Sequence, residues 1–292
     1  MLLSYLKLIR VPQWIKNLFV FVPLLFSLHL FDKDYFLTTL LAFFVFCFAS
    51  SLIYVINDIV DIEADRTHPT KKNRPLASGK ISKSSALVVI TVLTVLIIIL
   101  LPRFNTEFIY IVIGFILLNI LYSIWFKHVV ILDVFSIAAG FAIRVLAGAL
   151  VISVAISDWL ILTTMFISLF LGVMKRHSEL VLISSEDSTS SRKVLSQYSL
   201  NFADQMATVA AAGVIICYAL YTVSARTVSI FGTENLIYTT PFVVYGIFRF
   251  MFLEYISNKG DNTTRIVFTD LQLIITVIVY TITTVLIIYK VI

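Results

Sequence analysis

Apolar residues run along this chain in blocks of about twenty, separated by short polar stretches. The blocks fall at 17–31, 36–56, 84–101, 107–126, 133–152, 158–174, 203–225, 236–255 and 270–290. Most can cross roughly 30 Å of hydrocarbon as a helix. In lipid, every backbone polar group must be bonded internally, and runs this continuously apolar form helices rather than barrel strands. The pattern therefore predicts an all-α integral membrane protein: nine transmembrane helices in a single polytopic domain spanning 1–292. The first block follows Lys7, Arg10 and Lys16, as a secretory leader would. No small-residue cleavage site follows Leu30, however, and a second block begins almost at once, so the first block reads as a membrane helix.

Composition agrees. Of 292 residues, 60% are hydrophobic and 13% charged, with a mean hydropathy of +0.99. Soluble domains carry about twice that share of charge. Cys47 and Cys217 both lie inside apolar blocks, with no disulfide or metal-ligand spacing, and read as core residues. With nine spans and the N-terminus inside, sixteen Lys and Arg fall in inner segments and four (Lys33, Arg103, Arg226, Lys290) in outer ones. The positive-inside rule then places the N-terminus in the cytoplasm of a cell (inner or plasma) membrane. The net charge of +5 reflects this topology and gives no ground for nucleic-acid binding.

The polar residues gather on that inner side. Two inner loops are long, about 57–83 and 175–202, and a third, 256–269, carries the polar run Asn258, Lys259, Gly260, Asp261 and Asn262. In the first, "NDIVDIEADRTHPTKKNRPLASG" sets acids directly before bases. Continued as a helix, it brings Asn57, Asp58, Asp61 and Asp65 within an arc of roughly 100°, with Glu63 on the opposite side. Carboxylates on one face repel unless a cation joins them, and hard oxygen donors suit Mg²⁺, which binds through one or two carboxylates plus substrate phosphates. His68, Lys71, Lys72 and Arg74 follow as phosphate donors. The plainer reading is a solvated loop whose charges pair with one another, which would contribute little. The one-face spacing beside an apolar helix favours a metal–diphosphate site.

"NDIVDIEAD" resembles the NDxxDxxxD motif of the UbiA superfamily of intramembrane prenyltransferases. "RVPQWIKNLFVFVPL", "HPTKKNRPLASG", "YSIWFKHVVILDVFSIAAGFAIRVLAGAL", "FLGVMKRHSEL" and "DLQL" are similar to one branch of it, the polyprenyl-phosphate phosphoribosyltransferases of decaprenylphosphoryl-phosphoribose synthase type. The Asp motif marks only the superfamily; the QWxKN and HPxKxxRP pieces are narrower. The resemblance implies a UbiA-like bundle and Mg²⁺-dependent transfer of 5-phosphoribosyl from phosphoribosyl pyrophosphate to a polyprenyl phosphate, in lipid-linked sugar and cell-envelope synthesis.

A prenyl diphosphate-ionising relative would carry a second acidic motif. Near 122–150 this chain offers only Asp133, with Lys127, His128 and an intramembrane Arg144 around it. Asp133 and Arg144, about 16 Å apart along one helix face, are separated there by Ser136, Ile137 and Gly140. Gly140 and Gly148 serve either a cavity or close helix packing. An ionisable residue inside a span faces a polar cavity or a partner, which makes Arg144 a functional candidate. Fewer acids and more bases fit a substrate set rich in phosphate. The candidate ligands are Arg10, Lys16, Lys71, Arg74, Lys127, Arg144, Lys175 and Arg176, with Asp133 beside them. Lys16 and Arg74 join Asp58, Asp61 and Asp65 in the catalytic set. Gln13 and Tyr122 either orient ribose hydroxyls or pack at the interface. His177 reads as a loop or helix-end residue rather than a base, and Trp14, Trp125 and Trp159 as interfacial belt residues. Two other readings stand beside this one. A UbiA-type prenyltransferase would make a quinone, haem O or an ether lipid. A transporter or flippase would use buried charges as an ion pathway, but shows no repeat symmetry here.

Overall fold

The structure, a computed structural model, describes residues 2–67, 71–185, 195–256 and 269–290, with backbone alone at 182–185. His68 and the polar run 258–262 lie outside them. The described residues are mostly helical, with no strand among them, and eight helices are long and apolar enough to cross a membrane, or nine if a bent N-terminal pair counts as one.

That pair is the main departure from the predicted spans. In place of one helix over 17–31 there is α1 (Leu2–Leu8), an eleven-residue 3-10 helix (Val11–Phe21) and a short α2 (Val22–Leu25), bent by 50° between Leu8 and Val11. Two prolines explain the break. Pro12 and Pro23 each stand at the start of a helical segment and have no N–H to donate to a preceding turn. Arg10 at the bend takes a left-handed φ of 53°.

Beyond it come α3 (Lys33–Val60), α4 (Ile62–Thr67), α5 (Lys83–Leu100), α6 (Thr106–Ile124), α7 (Leu132–Val151), α8 (Asp158–Ser185), α9 (Leu200–Val223), α10 (Ala225–Phe231), α11 (Thr240–Ile256) and α12 (Leu271–Ile288). Side-chain caps fix the starts of several: Asp32, Ser82, Asn105, Ser199, Ser224 and Asp270 each accept a first-turn backbone N–H. The second departure is α8, which runs eleven residues past the predicted end of its span and carries Lys175, Arg176 and His177 on helix rather than loop. The short α10 has no counterpart in the apolar pattern.

The described residues form two compact units. The first, Met1–Trp125 with Ile143–Ala155, packs Val45, Phe46, Ile53, Ile97, Phe108, Val112, Phe115 and Ala147 into one core. The second, Phe126–Ala142 with Ile156–Ile292, centres on Phe170, Met174, Phe250 and Leu273 around the small-residue face Ala203, Ala207, Ala210 and Ala211 of α9. Without a hydrophobic drive between helices in lipid, such small residues let backbones approach and gain dispersion contact. Cys47 and Cys217 are buried and free, in keeping with core roles.

Candidate active site

In the first unit, α3 ends one residue before Asp61 and α4 starts one residue after it. The backbone bonds Asp61 N–H to Asn57 O (2.9 Å) and Asp65 N–H to Asp61 O (2.8 Å) carry the helical register through the break. Asp58 and Asp65, seven residues apart, therefore share a face, and they are only 2% and 3% exposed. Two arginines hold them. Arg74 Nη1 donates to Asp58 Oδ1 (3.1 Å) and Asp65 Oδ2 (2.6 Å), and Arg10 Nη2 donates to Asp58 Oδ1 at 2.5 Å. Arg10 also lies over the Tyr54 ring, 4.5 Å from its centroid. Asn57 donates its amide to Ser123 Oγ at 2.9 Å. Asp61 stays half-buried on the flank, and Glu63 points to solvent and pairs with Arg66. A pair of buried carboxylates is tolerable only with such compensation.

Among the described residues no three Asp, Glu, His or Cys side chains converge as a ligand set. The chain offers two carboxylates together, all-oxygen donors, with Asp61 and Asn57 adjoining. That fits a hard cation whose remaining ligands come from substrate phosphates.

The 3-10 helix sorts its residues with a period of three. Pro12, Ile15 and Leu18 are exposed; Asn17 and Val20 are buried and Trp14 half-buried; Gln13, Lys16 and Phe19 form the third, half-buried edge, with Arg10 three residues ahead of Gln13. Three candidate ligands, Arg10, Gln13 and Lys16, thus fall in one row. Trp14 packs against α3: its Nε1 donates to Ser51 Oγ at 3.0 Å, and its ring lies edge-on to Phe44 and Phe48. Trp125 is exposed and Trp159 half-buried.

Deeper along α3, Arg144 donates from Nε to Asn17 Oδ1 at 2.7 Å and lies over Phe115 at 4.6 Å. Asn17 in turn donates to Cys47 Sγ (3.3 Å) and accepts from Ser50 (3.4 Å). Gly148, one turn beyond Arg144, is a packing glycine, because a Cβ there would overlap the Val20 carbonyl. Tyr122, Lys71 and Lys16 are half-buried in the same unit.

In the second unit, Asp133 is fully buried and its carboxylate is taken twice. Oδ2 accepts from Arg176 Nε and Oδ1 from the Tyr198 hydroxyl, each at 2.8 Å. Arg176, 1% exposed, also pairs with Glu179. The Tyr198 oxygen accepts the backbone N–H of Ile131 (2.7 Å), whose φ of 70° is unfavourable for a β-branched residue. Burial, with Asp133 adding to it, pushes the Tyr198 phenol above its ordinary range, so it remains a donor. Lys127 is half-buried and Lys175 exposed. His177 sits inside α8, buried, with Nε2 3.3 Å from Asp204 and its ring against Tyr255, rather than in a loop or at a helix end. Asp133 and Arg144 each have their own partners.

Four residues escaped the sequence reading. Asn17 carried a signal, an amide inside an otherwise apolar run. Glu179 follows Arg176 by three residues on a helix that the apolar pattern ended too early. Ser123 and Tyr198 gave no local sign of their partners, 66 and 65 residues away.

A model of the UbiA prenyltransferase family matches residues 18–274. The chain is 34% identical over 223 residues to the decaprenyl-phosphate phosphoribosyltransferase of Mycolicibacterium smegmatis, covering 75% of this chain and 70% of that protein. It is 33% identical over 220 residues to the protein of the same description from Corynebacterium glutamicum, covering 74% and 66%. A solved UbiA homologue from Archaeoglobus fulgidus bound to GPP and Mg²⁺ superposes with a TM-score of 0.71 at 18% identity, covering 98% of this chain and 99% of that one. A structure concerned with digeranylgeranylglyceryl phosphate synthase gives 0.67 at 22% identity, covering 99% of each. At these identities the two structures speak for the fold.

Proposed function

The chain belongs to the UbiA prenyltransferase family, an integral membrane transferase, and within that family we propose that it moves a 5-phosphoribosyl group from phosphoribosyl pyrophosphate to a polyprenyl phosphate. The observation that carries this reading is the balance of charge at the first motif. Asp58 and Asp65 are matched by Arg10 and Arg74, which suits a site that handles several phosphates. Relatives covering about three quarters of this chain are described as decaprenyl-phosphate phosphoribosyltransferases. An enzymatic family sets the transporter reading aside.

Mg²⁺ would be held by Asp58 and Asp65 with Asp61 and Asn57, and would supply charge neutralisation to the departing pyrophosphate. Arg10, Lys16, Lys71 and Arg74 bind phosphate oxygens around it, and Gln13 and Tyr122 orient ribose hydroxyls. In the second unit, Arg176 holds Asp133 in place. The bond from ribose C1 to the pyrophosphate oxygen breaks with its electron pair, through an oxocarbenium-like state. An oxygen of the acceptor phosphate forms the new bond from the opposite face, so C1 inverts and pyrophosphate is released. An ionised phosphate monoester needs no general base, and catalysis rests on positioning and charge stabilisation. The Lys and Arg distribution supports a site on the cytoplasmic face of the cell membrane, where a soluble donor would meet a lipid acceptor.

The test uses protein in lipid nanodiscs with radiolabelled phosphoribosyl pyrophosphate and polyprenyl phosphate, with Mg²⁺ or with EDTA. Labelled lipid should form only with Mg²⁺. Prenylation of an aromatic acceptor from a prenyl diphosphate, with no labelled lipid, would establish the other enzyme reading instead.

A further inference from the structure

One nitrogen of Arg74 joins the two acids of the first motif. Its Nη1 donates both to Asp58 Oδ1 at 3.1 Å and to Asp65 Oδ2 at 2.6 Å. A Mg²⁺ ion shared by those two oxygens would lie about 2.1 Å from each, in the gap that this nitrogen fills. Arginine and metal exclude each other at that position. Charge points the same way. Asp58 and Asp65 are balanced by Arg10 and Arg74. A metal ion added alone would leave an excess of positive charge beside acids whose side chains are only 3% and 5% exposed, where water screens it poorly. Pyrophosphate arriving with the metal removes that excess.

The two arginines are held differently. Arg10 sits at the bend before the 3-10 helix and lies over the Tyr54 ring, a hold separate from Asp58. Arg74 is gripped by its two acids, and 28% of its side chain is exposed. The backbone that carries it is fixed. The Arg74 N–H donates to Lys71 O and its own carbonyl accepts from the Ser78 N–H, each at 2.9 Å. Leu76 and Ile81, just beyond, are buried in one cluster with Val55 and Ile62. Withdrawing the guanidinium therefore takes a change of side-chain rotamer and leaves the loop in place. Once withdrawn, it presents the planar donor fork that phosphate oxygens accept.

We propose that Arg74 is a placeholder for the metal: it bridges Asp58 and Asp65 until a metal–diphosphate complex arrives, then gives up the acids and takes oxygens of the diphosphate. The proposal rests on the reading that metal and diphosphate meet at the first motif, and it adds an order of events. Metal and diphosphate enter together rather than metal first. After transfer, Arg74 closing again on the two acids helps to expel metal and pyrophosphate. Arg10, held by Tyr54, does not move aside.

Mn²⁺ alone and the equimolar Mn²⁺–pyrophosphate complex are each titrated, by electron paramagnetic resonance and calorimetry, into four proteins in nanodiscs. These are the parent, Arg74→Met, Arg10→Met, and Asp58→Asn combined with Asp65→Asn. Arg74→Met should bind Mn²⁺ alone about tenfold tighter than the parent and the pyrophosphate complex about tenfold weaker, the scale of a coupling between two ligands. Changes of opposite sign cannot come from damage to the fold, which would weaken both. Arg10→Met removes the same charge from the same Asp58 oxygen and should tighten Mn²⁺ alone by less than about threefold. Should Arg74→Met fail to fold, Arg74→Gln takes its place with the same expected signs. The proposal is overturned if Mn²⁺ alone binds Arg74→Met no tighter than the parent, which means that the metal uses other oxygens and leaves the arginine in place. It is also overturned if Arg10→Met tightens Mn²⁺ as much as Arg74→Met does, since charge alone then explains the gain. In either case a parent that binds the complex through the two acids keeps the metal–diphosphate reading. A parent that does not bind the complex, or binds it equally well without both acids, removes that reading and the proposal with it.

Discussion

Asp58 and Asp133 are both buried carboxylates gripped by arginine, and they differ in how far that grip is closed. Around Asp58 and Asp65 the arginine side chains stay 26% and 28% exposed, and the ion pairs engage Oδ1 of Asp58 and Oδ2 of Asp65. Around Asp133 both carboxylate oxygens are used, the arginine is 1% exposed, and Tyr198 ties the acid to a backbone N–H. The first arrangement is the more open of the two, as exchange with the proposed metal and phosphate would require. The second is a lock, since separating a buried pair strands a charge. A motif of acids and bases thus acts as a site or as a strut according to its exposure, and composition alone does not separate the two.

The comparison breaks most visibly at Asp58. Asp58→Asn should cut turnover about 10³-fold, the scale of losing one preorganised electrostatic group, while the protein extracts and elutes as the parent does. A steady-state assay with a gel-filtration profile checks this, and a loss under tenfold would remove Asp58 from the metal site. Asp133→Ala should act oppositely. It takes a buried carboxylate from both Arg176 and Tyr198 and leaves Arg176 with Glu179, so stability should fall by about 3 kcal/mol in denaturant titration, with residual kcat close to the parent's in the folded fraction. A stable variant without activity would make Asp133 part of the chemistry. Arg74→Lys keeps the charge but loses the fork that spans Asp58 and Asp65, and KM for the donor should rise about tenfold. An unchanged KM would mean that the bridging geometry is incidental.

Much of this was legible in the chain. The apolar period located α5, α6, α7, α9 and α12 to within a few residues, because in lipid the length and continuity of the run nearly determine the helix. The face shared by Asp58 and Asp65 was legible because their spacing is local. The N-terminal break was not, although Pro12 and the row Arg10, Gln13, Lys16 carry a period of three that a search for 3.6 overlooks. The extension of α8 was hidden because Arg176 and His177 look like loop residues until Asp133 and Asp204, distant in sequence, supply their partners. Likewise nothing near Asp58 shows that Arg10, 48 residues earlier, reaches it.

The most direct test of the site is Mn²⁺ binding, followed by electron paramagnetic resonance, with Mn²⁺ in place of Mg²⁺ and with pyrophosphate present or absent. With two carboxylates converging among the described residues, tight binding should require pyrophosphate, disappear in Asp58→Asn with Asp65→Asn, and persist in folded Asp133→Asn. Mn²⁺ held as tightly without the two acids, or lost on changing Asp133 alone, would contradict the assignment of the metal and diphosphate to the first motif.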